Sequence, residues 1–436
     1  MGDDQKIVQE LPEFAARQCA ADVLHAVFEQ QMSVDKALVQ NPLWPKLTPQ
    51  DRAFAHSMVL AVLRERGLID AMLNACLKSP LKQKYGWVMQ CLRIGVAQLA
   101  YLDVPPHAAV HSTVELVKKS RFTSHKNLLN AVLNRIAKEH AALRKRLDVP
   151  KLHLPVWLYD ALKTHYGKEA TNAIIAQHRH RAPLDLTIKS DAAQWAKRLG
   201  GVALFGNTLR LGEVADVTQL AGYDEGEWWV QDVAASVPVQ LLGDVQGLRA
   251  LDVGAAPGGK TAQLAARGAQ VTALDRSPKR MRRLLENMQR LHMQVECISD
   301  DARNWQPKQP FDVIVLDAPC SATGTLRRNP DIAWTRKPKD VPPLVGLQKE
   351  MLEAAAQWLK PGGKLVYTVC SLLPEEGEQQ VERFLDEHSA FALVDVPETM
   401  PAQWHTADGM VRLLPHFESV KGGMDGFFAA CLQRTA

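Results

Sequence analysis

From residue 247 onward the chain alternates short apolar runs with amphipathic segments, and this alternation leaves few folds open. Residues 248–253, 270–274, 295–298, 312–316 and 364–369 read as strands; 261–266, 279–291 and 345–358 read as helices. Such a series demands right-handed crossovers and a parallel sheet covered by helices on both faces. Ligands of these sheets bind outside the carboxyl ends of the strands, where the strand order reverses. The residues that follow each strand are therefore the ones to read for chemistry.

The preceding residues have a different texture. Apolar positions at helical spacing recur over 14–28, 52–66, 68–77, 88–100, 108–118 and 127–140, with a break at Leu102-Asp-Val-Pro-Pro106. This predicts a bundle of about six helices. Residues 156–180 read as helical, and from Ala182 short β-like runs mix with glycine turns up to Gly247. The expected organisation is a helical domain over 1–148, a small α+β domain over 149–246 and an α/β Rossmann-like domain over 247–436.

Composition excludes several classes. Hydrophobic residues are 46% and charged residues 23% of 436, ordinary globular usage. No apolar run approaches the roughly 18–20 residues that span a bilayer, so no membrane partner is expected. The opening stretch, MGDDQKIVQELPEF, is acidic without an apolar segment, and no secretory signal is expected. Seven widely spaced cysteines with no CxxC fit a reduced, cytoplasmic protein. No cluster has zinc-like spacing, and no metal is expected. The net charge of +4 is uneven: residues 1–150 hold 20 basic and 14 acidic residues, and 118–146 hold nine Lys/Arg against Glu139 alone. Such a stretch can neutralise phosphates, or form a solvated helix face.

After the first strand of the alternating region comes Gly254-Ala-Ala-Pro-Gly-Gly-Lys-Thr261, which literally satisfies the phosphate-loop pattern GxxxxGK[ST]. Two acids argue against a polyanion. Asp252 leads into the loop, and Asp275 ends the second strand, where a ribose hydroxyl pair is met in open α/β sheets. A glycine turn with a ribose acid suits S-adenosylmethionine, whose carboxylate can sit on exposed N–H groups while its sulfonium tolerates nearby carboxylates. A phosphate loop and a dinucleotide site stay open at this point.

Two cysteines follow neighbouring strands: Cys320 in Asp317-Ala-Pro-Cys-Ser321, and Cys370 in Val369-Cys-Ser371. A single cysteine is usually a small buried hydrophobe, but strands about 4.8 Å apart can turn both thiols into one crevice. A thiolate that adds to carbon 6 of cytosine makes carbon 5 nucleophilic toward a methyl donor. Asp317 is placed to meet the N3 edge of such a base. A second thiol can assist release, and the spacing does not say which thiol does which.

Residues 252–261, 275, 317–320 and 368–371 together resemble the RNA 5-methylcytosine methyltransferases of the NOL1/NOP2/Sun superfamily, in its bacterial 16S ribosomal RNA branch. Val230-Gln-Asp-Val-Ala-Ala-Ser236, Ser321-Ala-Thr-Gly-Thr325, Arg328-Asn-Pro-Asp331 and Asp425-Gly-Phe-Phe428 also resemble it. The first 145 or so residues resemble the RNA-binding antitermination factor NusB, including Pro105-Pro-His-Ala-Ala109.

The resemblance implies that Gly254, Ala255, Ala256, Pro257, Gly258, Gly259 and Lys260 hold the methionine and adenosine parts of S-adenosylmethionine. It gives Asp275 the ribose, Asp301 the adenine side and Asp317 a place between cofactor and base. It makes Cys370 the nucleophile and Cys320 the residue that releases product. The chain departs from the family in Val369, where Thr is usual and whose lost hydroxyl is expected to weaken a supporting hydrogen bond while leaving the thiol, and in Gly254, where Cys is frequent and the change is expected to be harmless. Arg327, Arg328, Arg336 and Lys337 are candidates to grip phosphates, and Trp228-Trp229 is expected to be packing. The expected partner is 16S rRNA, free or in a partly assembled subunit, engaged by a monomer. A transfer RNA substrate, a non-catalytic RNA-binding factor and a nucleotide hydrolase are the alternatives.

Overall fold

The computed structural model describes residues 14–435; residues 1–13, on which the expectation of no secretory signal rests, lie outside them. The chain forms two compact units. The first comprises the residues up to Asp160 together with Asn329–Arg336, and the second comprises Ala161–Arg328 and Lys337 onward. Among the described residues no helix is long and apolar enough to cross a membrane.

The first unit is a bundle of α1 (Ala15–Gln30), α2 (Val34–Gln40), α3 (Pro49–Cys76), α4 (Gly86–Tyr101), α5 (Pro106–Lys118) and α6 (Lys126–Leu147). α4 is its centre: every residue from Gln90 to Leu99 is buried. α3 starts where Thr48 accepts the Asp51 amide at 3.1 Å and Pro49 occupies the first helical position. The sequence predicts two helices over 52–77, separated at Gly67. The structure has one continuous helix. Gly67 is a notch: a Cβ there would lie 1.7 Å from the carbonyl oxygen of Leu152. The glycine serves a close backbone crossing, which local propensity does not register.

The second unit opens with the rest of α7 (Val156–Arg179), which is interrupted at Gly167 (φ 78°). A small antiparallel sheet follows, built from β1 (Leu184–Ile188), β2 (Val202–Ala203), β3 (Thr208–Leu211) and β4 (Trp228–Val230) in the order β2-β3-β1-β4, with α8 (Ala192–Leu199) after β1. Trp228 is buried in its core, and Trp229 is buried on the side of Ala255, Ala256 and Met281. The helix α9 (Val233–Gln240) leads into the larger sheet.

That sheet is carried by β5 (Arg249–Val253), α10 (Gly259–Ala266), β6 (Gln270–Leu274), α11 (Pro278–Arg290), β7 (Glu296–Ile298) and β8 (Phe311–Asp317). After the short helix α12 (Ile332–Thr335) it continues through α13 (Val341–Gln357), β9 (Leu359–Val369), α14 (Glu378–Glu387), β10 (Phe391–Leu393), β11 (Val411–Leu413) and β12 (Phe427–Arg434). The order is β10-β12-β9-β8-β5-β6-β7, with β11 also pairing β12. β5 pairs in parallel with both β6 and β8, so the strand order reverses at β5 and β8. β9 continues the parallel array from β8, and β12 returns antiparallel beside β9. The parallel core matches the sequence expectation. The antiparallel edge was not visible in the sequence, because its strands are separated by long irregular stretches.

Residues 329–336 leave the sheet's sequence neighbourhood and join the helical unit. There Trp334 donates to the Leu63 carbonyl at 2.7 Å, the Arg66 guanidinium lies 4.5 Å from the Trp334 ring centroid, and Asp331 accepts the Val34 amide at 3.3 Å. The Arg328-Asn-Pro-Asp331 motif is thus partly a packing element of the bundle.

Candidate active site

The site forms where β5, β6, β8 and β9 end. Gly254 is the turn after β5, with φ 75°, and a Cβ there would sit 2.3 Å from the Asp317 carbonyl oxygen. Only glycine fits this approach of the β5 and β8 loops, so in this chain Gly254 is a fixed requirement. Gly258, with φ 107°, packs under α11: its Cβ would lie 3.0 Å from Leu284 Cγ. Thr261 at the start of α10 donates to Asp252 Oδ2 at 2.6 Å.

Two clefts open here. One of about 400 Å³ is lined by Gly254, Asp275, Asp301, Asp317, Cys320 and Cys370, among others. The other, of about 320 Å³, is lined by Ala255, Ala256, Pro257, Gly259 and Lys260, again with Asp317 and Cys370. Asp317 and Cys370 therefore face both. Gly258 lines neither and acts through packing. The expected site residues converge, but the 255–260 segment and the Asp275–Asp301 pair face different clefts.

The polar groups are specifically held. Asp275 accepts from the Ala256 amide at 3.2 Å and the Ser277 amide at 2.9 Å, and Arg280 pairs with it at 3.2 Å. Asp301 is bound by the Arg303 side chain at 2.7 and 3.0 Å, and hydrogen bonds from Arg303 hold its carboxyl down at about 2. Lys260 is buried, with Nζ 2.8 Å from Asp317 Oδ2. Burial pulls its ammonium down, and the Asp317 carboxylate outweighs this and raises it. A lysine committed to a carboxylate, inside a loop ringed by Asp252, Asp275 and Asp317, is a poor receptor for a triphosphate. The same acids suit a cationic sulfonium ligand with a ribose.

Asp252 is fully buried, and among the described residues its Oδ1 has no hydrogen-bond partner. Burial pushes its carboxyl up to about 7, against the hydrogen bond from Thr261 and the Lys260 cation. Unfolded, this group ionises near pH 4. Between about pH 4 and 7 the folded chain thus holds a proton that the unfolded chain has lost, and stability falls as pH rises through that window. Asp252→Asn is expected to raise the melting temperature more at pH 7.5 than at pH 5, the gap reflecting at most roughly 3 kcal/mol. Equal shifts at both pH values in thermal unfolding would refute this.

The two thiols meet: Cys320 Sγ lies 3.5 Å from Cys370 Sγ. The hydrogen bond between them, then burial, then the neighbouring charges of Cys370 and Glu376 push the Cys320 thiol well up. Val369, in place of the usual Thr, is buried in the apolar core and leaves the Cys370 backbone carbonyl bonded to the Gly324 amide at 3.0 Å.

Two sequence readings change here. Arg327 does not grip phosphates: its side chain is 1% exposed and bonds Asp425 at 3.2 Å and Asp232 at 3.0 Å. Arg328 also pairs with Asp232 at 2.6 Å and Asp425 at 3.0 Å, but its side chain stays 29% exposed and lines the second cleft. Glu376 was missed. It is fully buried below both cysteine loops, and in Pro374-Glu-Glu-Gly-Glu378 nothing in the sequence singles it out from Glu375, which is exposed.

A parallel sheet with a glycine turn, a strand-end acid and paired thiols at its switch point defines an α/β methyltransferase domain, here joined to a NusB-type helical bundle. Residues 239–433 match the family described as 16S rRNA methyltransferase RsmB/F, and residues 15–138 match the NusB family. The chain is 34% identical to ribosomal RNA small subunit methyltransferase B of Vibrio cholerae, over 96% of this chain and 97% of that protein. It is 36% identical to the protein of the same name from Citrobacter koseri, over 95% and 98%. Among solved structures, that of PH0851 superposes with a TM-score of 0.74 at 22% identity, covering 98% of this chain and 99% of that one. NSun6 from Pyrococcus horikoshii, solved with SFG, gives 0.57 at 20% identity over 65% and 98%. The chain belongs to the RsmB/F family of 16S rRNA methyltransferases, and it is an RNA methyltransferase.

Proposed function

We propose that the protein methylates carbon 5 of a cytosine in 16S ribosomal RNA, with S-adenosylmethionine as donor and Cys370 as the covalent nucleophile. The observation that carries this reading is the approach of the two sulfurs to 3.5 Å in the first cleft, with Cys370 and Asp317 also facing the second. Bound in the first cleft, S-adenosylmethionine would supply an electrophilic methyl group. Asp275 would take its ribose hydroxyls, Asp301 would lie near its adenine, and Gly254 would meet its methionine side, with residues 255–260 forming the neighbouring wall toward the second cleft. The base would enter from the second cleft, unpaired or extruded so that the sulfur reaches its face. The Cys370 thiolate adds to carbon 6, with Lys260 and Asp317 supplying the charged edge toward N3. Release then requires that the carbon 5 proton pass to a base and that the C6–S electron pair return to Cys370. Cys320 stands beside that bond.

Three parts share the work in this reading: residues 1–148 bind RNA, 149–246 link, and 247–436 catalyse. The family matches over 15–138 and 239–433 support the outer two. A basic surface that the sequence reading missed belongs to the third. Arg276, Lys279, Arg280, Arg282 and Arg283 are exposed on and before α11, and Arg276 and Arg280 also line the first cleft. These positions are suited to RNA phosphates. Arg282→Glu with Arg283→Glu is expected to lower the slope of log affinity against log salt by about 1–2 without changing S-adenosylmethionine binding in calorimetry. An unchanged slope would remove α11 from the RNA surface.

The function is tested by incubating the protein with S-adenosylmethionine and 16S rRNA, free or in small subunits, and with transfer RNA, followed by bisulfite sequencing. One protected cytosine in 16S rRNA is the expected result. Protection in transfer RNA alone, or methylation without bisulfite resistance, would overturn the substrate or the carbon 5 assignment respectively.

A further inference from the structure

Each of the two cysteines follows the end of a strand and is itself followed by a serine, yet the two are not equivalent in the fold. The difference is Glu376. Its Oε1 accepts the Ser321 amide at 2.8 Å and Gln348 Nε2 at 3.0 Å. Its Oε2 accepts the Ser321 hydroxyl and the Ser371 hydroxyl, each at 2.5 Å. One buried carboxylate thus holds the residue after each thiol. The grip is uneven: on the Cys320 side it takes a backbone amide and a hydroxyl, on the Cys370 side a hydroxyl alone. Gln348 extends it to the Cys320 loop a second time, through the Pro319 carbonyl at 2.9 Å.

The surroundings of the sulfurs differ in the same sense. Cys370 shares the second cleft with the Lys260 ammonium, and Cys320 does not line that cleft. The hydrogen bond to Cys370 and burial push the Cys320 thiol up, and the Glu376 charge adds to them in the same direction. Tyr367 faces Cys320 from β9, its hydroxyl donating to the Glu376 carbonyl at 2.7 Å. Asp317 and Asp252 lie on the Lys260 side. Behind Ser371, Arg412 donates to its carbonyl at 2.5 Å and is paired with Glu378.

We infer that Glu376 is a positioning residue that decides which thiol is the nucleophile: its carboxylate ties the two loops at one separation and grips the Cys320 loop more fully, leaving Cys370 as the sulfur that attacks. The inference rests on the reading of Cys370 as nucleophile, but it concerns the sulfurs themselves and is measurable without RNA. The charge that helps hold the proton on Cys320 also makes its thiolate a stronger base, which suits a role in release.

The test is alkylation of the full-length protein by iodoacetamide, under reductant, from pH 6 to 9, with each cysteine followed by mass spectrometry. In the wild type Cys370 is expected to react first throughout. Glu376→Gln keeps the shape and removes the charge, and is expected to speed Cys320 alkylation about tenfold at pH 8 for each unit by which its pKa falls. Glu376→Asp keeps the charge, and is expected to preserve the order of reaction while lowering methyl transfer through the altered spacing. A Cys370-to-Cys320 rate ratio unmoved by Glu376→Gln overturns the inference. So does a wild-type protein whose Cys320 reacts first, a result independent of whether any variant folds. A protein that methylates no cytosine yet shows the shifted ratio would refute the proposed function and leave this inference standing.

Discussion

Cys370→Ala is expected to abolish methyl transfer, by at least about 10⁴-fold, together with any covalent capture of RNA, because it removes the atom that activates carbon 5. Cys320→Ala should behave differently. Its Cys370 can still add to the base, but the neighbouring thiol is gone from a distance of 3.5 Å. An RNA–protein adduct that survives denaturing electrophoresis should therefore accumulate, while turnover falls. Swapped phenotypes would reverse the roles of the two thiols. Full activity in Cys370→Ala would remove the covalent mechanism altogether.

The largest expected effect on stability lies away from the thiols. Arg327→Ala is expected to cost about 3 kcal/mol, because it leaves two buried carboxylates to share Arg328 alone. Asp232 and Asp425 have side chains 4% exposed, and both bond Arg327. Asp232 also caps α9 through the Ala234 amide and accepts the Asp425 amide. Losing the guanidinium would thus disturb the start of α9 and the turn before β12 together. The exposed pair Arg181–Glu213, with side chains 72% and 88% exposed, is the control: Arg181→Ala should change stability by less than about 1 kcal/mol. Urea unfolding of the two variants compares them directly. Equal midpoints would show that the buried network stabilises no more than a surface contact.

What could be read in advance follows from how local each signal is. Strands β5, β6, β8 and the end of β9 are short apolar runs bounded by turns, and their placement put Gly254, Asp275, Asp317, Cys320 and Cys370 at strand ends before any coordinates were needed. Gly67 was misread because a glycine within a helical pattern has the same appearance whether it ends the helix or admits the Leu152 backbone. Arg327 was misread because a guanidinium beside a catalytic loop looks the same whether it faces solvent or two carboxylates distant in sequence.

The sequence by itself determined the parallel α/β core, the glycine turn with its strand-end acid, and the presence of two thiols after neighbouring strands, since each is set by residues within a few positions of one another. Only the tertiary structure decided that the sulfurs meet, that Lys260 pairs with Asp317, that the arginines after Cys320 are paired with buried acids, and that Glu376 holds both cysteine loops. Apart from the Glu376–Ser371 bond, those relations join residues 50–98 positions apart. They depend on which groups are shut away from water together, and burial is a property of the folded chain that no local pattern contains.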